Sequence, residues 1–250
     1  MNIIGIIPAR FASTRFPGKP LVKIGGKTMI ERVYFQSLKS IDNVIVATDD
    51  ERIYNTVIDF GGEAVMTSSL HQSGTDRCCE TLDITEKNKN KKYDIVINIQ
   101  GDEPFIDPEQ INQLKKLFND ELTQIATLIT PIKSSTELFD FNKVKCVIDK
   151  NKFALYFSRQ AIPYIRNYSQ GEWMLRHNFY KHLGIYGFKS SVLREITKLP
   201  QSSLEVAESL EQNRWLENGY KIKTDITLHE SIAIDTPEDL DRVAKMFENK

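Results

Sequence analysis

The sequence is poor in cysteine: Cys78, Cys79 and Cys146 are its only three, and two of them are adjacent. An odd count without C-x-x-C spacing supplies neither a disulfide framework nor a zinc or dithiol motif, and it fits a reducing compartment. Excess charge is also missing, since 33 Lys and Arg stand against 34 Asp and Glu. With no global field to gather a polyanion, neither nucleic acid nor an anionic membrane surface is expected as a partner, so any phosphate contact has to be local. The one dense basic run, Lys87 to Lys92, is interleaved with Asn and reads as a solvated connection. No apolar stretch approaches the roughly 20 residues that span a bilayer. The start, Met1-Asn2-Ile3-Ile4-Gly5, passes directly into a strand-like run without the basic region or small-residue cleavage site of a secretory signal. A cytoplasmic location is therefore expected.

Two glycine motifs are absent as well. The loop after the first apolar run has Ser13 where a Walker A loop needs Gly, and Pro20 where it needs Ser or Thr. The dinucleotide fingerprint G-x-G-x-x-G does not follow that run either, which argues against an NAD-linked oxidoreductase. No D-x-D stands at a strand end; Asp239-Leu240-Asp241 falls inside an amphipathic helical pattern, which argues against a glycosyltransferase.

What is present is enough apolar material, 40% of 250 residues, for one substantial core. Apolar β-type runs alternate with helical patterns: Ile3 to Pro8, Met29 to Leu38, Val44 to Ala47, Arg52 to Phe60, Ala64 to Met66, Arg77 to Ile84 and Ile95 to Ile99. That alternation predicts an α/β fold with a mostly parallel central sheet and helices on both faces. Asp107-Pro108-Glu109-Gln110 marks the next helix start. The pattern then turns β-rich and irregular, which predicts one domain over 1–250 carrying an inserted antiparallel lobe at about 130–190. Ser202 to Glu205 forms an S-x-x-E box opening a helix that Gly219 ends, and Thr236-Pro237-Glu238-Asp239 opens the last helix.

Four segments carry candidate chemistry. Pro8 to Pro20 puts Arg10, Arg15 and Lys19 at the carboxyl end of the first strand, where open α/β sheets bind ligands and where three cations suit several phosphates. Asp102, in Gln100-Gly101-Asp102-Glu103-Pro104, ends another strand, and magnesium commonly needs only one or two protein carboxylates beside phosphates and water. Asp235 follows Ser231-Ile232-Ala233-Ile234 and pairs with Asp102 as a metal candidate. His71 to Arg77 contains small residues, Ser73-Gly74-Thr75, that let a flat base approach; the bland alternative is a Gly turn capped by Thr75.

Together these segments resemble the 3-deoxy-manno-octulosonate cytidylyltransferases, also called CMP-KDO synthetases. The resemblance spans nearly the whole chain, through IPARFASTRFPGKPL, VATDDERI, HQSGTDR, INIQGDEPFI, ALYFSRQAIPYIR, KHLGIYGF, LEVAESLEQNRWLENG and IDTPEDL. It implies a Rossmann-like nucleotidyltransferase with a dimerisation lobe, working as a homodimer. It also implies transfer of CMP from CTP to 3-deoxy-D-manno-octulosonate (KDO), giving CMP-KDO and pyrophosphate for lipopolysaccharide biosynthesis. On this resemblance Arg10, Arg15 and Lys19 bind the triphosphate, Pro8, Ala9, Ser73, Gly74, Thr75 and Gln100 border the nucleotide, and Asp102 and Asp235 hold Mg2+. Arg15, Lys19, Asp102 and Asp235 are then the catalytic set. The sugar acid meets Arg159, His182 and the helix from Leu204 to Leu216. On a helical wheel Glu205, Glu208 and Gln212 share a polar sector of that helix, and Glu211 lies off it. The departures, Asn213 for a usual Leu and Cys146 for a usual aliphatic residue, touch neither metal nor phosphate positions. Rival readings are another sugar acceptor, such as a sialic acid or 8-amino KDO, and a non-catalytic nucleotide-binding module.

Overall fold

The first apolar runs become strands because almost nothing in them can face water. In the computed structural model, which describes residues 1–12, 16–231, 233–234 and 236–248, Ile4, Ile6 and Ile7 of the first strand are wholly buried. Arg15 and Asp235 lie outside the described residues. The chain packs as two units, Met1–Asn112 with Glu230–Lys250, and Gln113–His229.

The first unit contains β1 (Ile3–Ala9), the two-residue hairpin strands β2 (Lys23–Ile24) and β3 (Lys27–Thr28), β4 (Val44–Thr48), β5 (Ala64–Met66) and β6 (Ile95–Asn98). β1 pairs in parallel with β4 and β6, and β4 pairs in parallel with β5. Every residue of β4 and β6 is buried, as expected of strands covered on both faces. Helices α1 (Met29–Leu38), α2 (Glu51–Asp59) and α3 (Gly74–Lys89) begin at side-chain caps. Thr28 accepts from Glu31 N–H, Asp50 from Arg52 N–H, and Ser73 from Asp76 N–H. Each cap fixes where the chain leaves a strand tip and re-enters the covering layer. The C-terminal helix Pro237–Glu248 closes a satellite core in which Val243 and Ile234 pack with Ile24 and Met29. It contains Asp239-Leu240-Asp241, as the sequence pattern predicts.

Helix α4 (Pro108–Lys116) starts where Asp107 accepts from Glu109 N–H at 2.9 Å. The second unit holds β7 (Ile125–Pro131), β8 (Lys145–Ile148), β9 (Ala154–Ser158), β10 (Tyr180–Lys189) and β11 (Ile222–Ile226). β10 runs antiparallel to β7 and β8, β8 antiparallel to β9, and β11 parallel to β7. This unit encloses the β-rich stretch of about 130–190 and its own core of Ile132, Leu138, Trp173 and Phe179. The short helices are α5 (Ser135–Phe139), α6 (Trp173–Arg176), α7 (Ser190–Ile196), α8 (Ser203–Glu208) and α9 (Glu211–Glu217). Among the described residues no helix is long and apolar enough to cross a membrane.

The helix expected from Ser202 to Gly219 is two helices. Ser209 takes the left-handed conformation, φ 51°, and ends α8, while Leu210 turns inward to 7% exposure before α9 begins. The Leu210 N–H bond to the Glu205 carbonyl closes that turn. Gly219, φ 82°, follows the end of α9 as the sequence predicts.

Candidate active site

An open pocket of about 270 Å³ lies at the carboxyl ends of β1 and β6 in the first unit. It is lined by Pro8, Ala9, Arg10, Lys19 and Pro20 from the first loop, by His71, Gln72, Ser73, Gly74 and Arg77 around the start of α3, and by Gln100, Gly101 and Asp102 after β6. Close approach of these loops depends on two glycines. A Cβ on Gly101 would sit 3.0 Å from the Pro8 carbonyl oxygen, and one on Gly74 would sit 3.3 Å from the Pro8 ring. Both contacts draw the tip of β6 and the start of α3 against the end of β1.

The central contact is between Lys19 and Asp102. Lys19 Nζ donates to Asp102 Oδ2 at 2.8 Å, with the two side chains 13% and 30% exposed. Arg10 is exposed at the pocket rim. A further cation, Arg77, was not singled out from the sequence. It is 4% exposed, donates to Thr67 Oγ1 at 2.5 Å and pairs with Asp49 Oδ2 at 2.9 Å. These two partners hold a desolvated guanidinium in one place without neutralising its whole donor set, since Arg carries five N–H groups. His71 was also missed. Its Nε2 lies 2.5 Å from Glu80 Oε2, and the same oxygen accepts from Ser68 N–H. Burial works against the Glu80 charge, but these hydrogen bonds outweigh it and hold the carboxyl below its ordinary pKa.

Ser73, not Thr75, is the N-cap of α3, and Asp76 reciprocates by accepting from Ser73 N–H, completing a capping box. Thr75 is buried in the first helical turn and does not line the pocket. The positive end of α3 therefore borders the pocket beside Ser73 and Gly74, a favourable place for an anion.

Asp235 lies outside the described residues, but its neighbour Ile234 donates its N–H to the Asp102 carbonyl at 2.9 Å. That bond ties Ile234 itself to the Asp102 segment. Among the described residues no three His, Cys, Asp or Glu side chains cluster as a metal cage. A partly exposed carboxylate in a pocket lined by cations nevertheless suits magnesium, a hard cation that takes few protein oxygens and completes its shell with phosphate and water.

In the second unit, Arg159 follows β9 and is held by α8. Glu208 Oε1 accepts from Ser158 Oγ at 2.6 Å and Tyr156 OH at 3.3 Å, and Oε2 accepts from Arg159 N–H at 2.9 Å. Arg159 Nε returns a bond to the Glu208 carbonyl at 2.7 Å. Burial opposes the Glu208 charge, yet the Arg159, Ser158 and Tyr156 bonds keep its pKa lowered. Glu205 is 6% exposed and forms a two-pronged pair with Arg214 at 2.7 and 2.5 Å. Gln212 is also 6% exposed, and Glu211 lies 3.9 Å from Arg214. The polar sector drawn through Glu205, Glu208 and Gln212 does not exist as a helix face, because the break at Ser209 rotates α9 out of register with α8.

His182 sits between the rings of Phe157 and Tyr186, 5.1 Å from each. Burial there lowers its pKa from 6.5 to about 3. Thr127 Oγ1 gives its proton to the Ile185 carbonyl at 2.7 Å, so at 3.0 Å from His182 Nε2 it acts as acceptor. That assigns the proton to Nε2 and leaves Nδ1 as an acceptor on a neutral ring.

A family model described as Cytidylyltransferase matches residues 4–223. The 3-deoxy-manno-octulosonate cytidylyltransferase of Parabacteroides distasonis is 56% identical, covering 100% of both chains. That of Bacteroides thetaiotaomicron is 53% identical, again over 100% of both. Among solved structures, CMP:2-keto-3-deoxy-manno-octonic acid synthetase complexed with CTP matches with a TM-score of 0.90 and 39% identity, covering 100% of this chain and 99% of that one. With a parallel-sheet pocket of cations and one acid, and this similarity along its whole length, the chain belongs to the 3-deoxy-manno-octulosonate cytidylyltransferases within the cytidylyltransferase family.

Proposed function

We propose that this chain transfers CMP from CTP to KDO, releasing pyrophosphate and supplying an activated sugar for lipopolysaccharide. The observation that carries the reading is the meeting of Arg10, Lys19, Arg77 and Asp102 in one pocket. Triphosphate and cations attract locally there, even though the chain as a whole is nearly neutral. The anomeric hydroxyl of the sugar attacks the α-phosphorus in line and gives up its proton to solvent, the new C–O–P bond forms, and the bond from the α-phosphorus to the bridging oxygen breaks, that oxygen leaving with pyrophosphate. Lys19 and Arg10 stabilise charge that grows on the departing pyrophosphate, and Arg15 from the same loop joins them on the sequence reading. Gly74, Ser73 and Gln100 border the nucleoside, with Pro8 and Ala9 beneath it. In this reading catalysis is chiefly positioning and charge stabilisation.

Magnesium is the proposed cofactor, held by Asp102 with Asp235 as the second carboxylate. When bound it polarises the α-phosphate and lowers the pKa of the attacking hydroxyl. Arg159 is the proposed partner of the sugar carboxylate, and neutral His182, Glu208, Glu211 and Gln212 complete the acceptor side. His182 meets a hydroxyl as a hydrogen-bond acceptor, not as a counter-charge.

Homodimeric assembly in the cytoplasm belongs to the same proposal. The second unit leaves Leu155, Tyr164, Leu175 and Val206 between 61% and 82% exposed, apolar surface available to a second copy. A single species of monomer mass at micromolar concentration in sedimentation would remove that part.

Pyrophosphate release measured across CTP, UTP and ATP, each with KDO, 8-amino KDO and a sialic acid, tests the activity. The expected result is turnover with CTP and KDO and far less with every other pairing. Turnover that favours another acid would reassign the acceptor, and CTP binding without turnover would favour the non-catalytic module.

A further inference from the structure

The segment Asp50-Glu51-Arg52 has no role in the chemistry above, yet it reaches the cationic loop. Arg52 Cζ lies 3.3 Å from the centroid of the Phe11 ring. The guanidinium is held there by a two-pronged pair with Asp50, Nε to Oδ1 at 2.9 Å and the terminal nitrogen to Oδ2 at 2.6 Å. Asp50 is itself fixed as the N-cap of α2, accepting from Arg52 N–H at 2.9 Å.

Phe11 in turn closes the base of the loop. Its carbonyl accepts from Gly18 N–H at 3.0 Å, and its ring covers Gly18 so closely that a Cβ there would meet Cε2 and Cζ at 3.1 Å. Gly18 has φ 71°, a conformation that already favours glycine. Arg10 immediately precedes Phe11 and Lys19 immediately follows Gly18. The stack therefore fixes the two backbone points from which both pocket cations project.

We propose that Arg52, stacked on Phe11 and braced by Asp50, is a positioning residue that sets Arg10 and Lys19 for the triphosphate. An exposed Arg–Asp pair alone contributes little to stability. A planar guanidinium over an aromatic face adds a contact that a flexible ammonium reproduces only in part. The proposal rests on the reading that Arg10 and Lys19 bind CTP phosphates, and the test separates the two.

CTP binding is measured by calorimetric titration, and KM and kcat by pyrophosphate release, for the intact protein and for Arg52→Ala, Arg52→Lys, Asp50→Asn and the double variant Arg52→Ala/Asp50→Asn. Arg52→Ala is expected to raise Kd and KM for CTP about three- to ten-fold, with the KM for the sugar acid moving less than about twofold. Arg52→Lys should fall between wild type and Arg52→Ala. Asp50→Asn should weaken CTP in the same direction, and the double variant should be no worse than Arg52→Ala, because the two side chains act as one brace. Arg52 is largely exposed, so thermal melting of Arg52→Ala should match wild type. Unchanged CTP affinity in Arg52→Ala, equal losses for CTP and sugar, or strictly additive losses in the double variant would each overturn the brace. Failure of wild type to bind CTP in the same titration would instead overturn the nucleotide reading on which it rests.

Discussion

Lys19 and Asp102, 83 residues apart in sequence, meet with Nζ 2.8 Å from Oδ2 at the mouth of a parallel sheet. Each is partly exposed, so neither charge is there to hold the core together. A cation paired with an acid in a pocket that faces solvent is a small, pre-oriented charge pattern: one end suits phosphate oxygen, the other a divalent ion.

Asp102→Asn keeps the side-chain shape and removes the charge. It should lower kcat about 10²- to 10³-fold, while the thermal midpoint stays within a few degrees of wild type because the group is part-exposed. Steady-state kinetics at saturating CTP and a melting curve check both halves. Activity near wild type would dismiss Asp102 from the chemistry.

Gly101→Ala places a methyl group 3.0 Å from the Pro8 carbonyl oxygen, a backbone atom that cannot swing aside. The tip of β6 must then move away from β1, carrying Asp102 from Lys19. The expected outcome is a loss in kcat/KM for CTP of about ten-fold or more. Gly171→Ala, where a Cβ meets nothing within 4 Å, is the control that should leave activity unaltered. Equal activity in the two variants would contradict the close-approach argument.

Glu205 and Arg214 are both buried below 8% exposure and bonded through both carboxylate oxygens. Removing the Glu205 charge takes the two-pronged partner from a buried guanidinium and leaves it the longer Glu211 contact at 3.9 Å, so Glu205→Gln should destabilise the fold by about 3 kcal/mol. Chemical denaturation measures it. A loss near zero would return Glu205 to the solvated face that the helical wheel suggests.

How much of this was legible beforehand follows from where the determinants lie. Strand β1, with its buried isoleucines, and the loop from Arg10 to Lys19 were readable because local pattern and strand-tip position both point the same way. The break at Ser209 was not, because nothing in Glu208-Ser209-Leu210 resembles a helix stop; it depends on Leu210 seeking burial and Glu208 reaching Ser158 and Arg159. Arg77 was missed for a similar reason. An arginine in the first turns of an amphipathic helix looks solvated until Asp49 and Thr67, from other elements, are seen to hold it. Ser73 as the cap of α3 was open to reading, since Asp76 three residues later completes the box, but the neighbouring Thr75 offered an equally plausible cap.

His182 gives a pH prediction. Its pKa is about 3 in the fold and 6.5 ordinarily, so between those values the unfolded chain binds the extra proton. The stability that depends on a neutral His182 is complete above about pH 6.5 and declines as pH falls toward 3. His182→Gln cannot titrate. Denaturation at pH 7 and pH 5 should show the stability of wild type falling relative to His182→Gln on acidification. A relative change of the opposite sign, or none, would contradict a part-buried ring held neutral by desolvation. The KM for the sugar acid should likewise show no inflection from this residue between pH 5 and 8.

The most direct measurement is calorimetric titration of CTP, with and without Mg2+, into wild type and Asp102→Asn. The account predicts that Mg2+ tightens CTP binding to wild type and that this gain is largely lost in Asp102→Asn, while metal-free CTP binds the variant at least as well because the Asp102 charge no longer repels the phosphates. The same magnesium gain in both proteins, or no CTP binding by wild type, would contradict it.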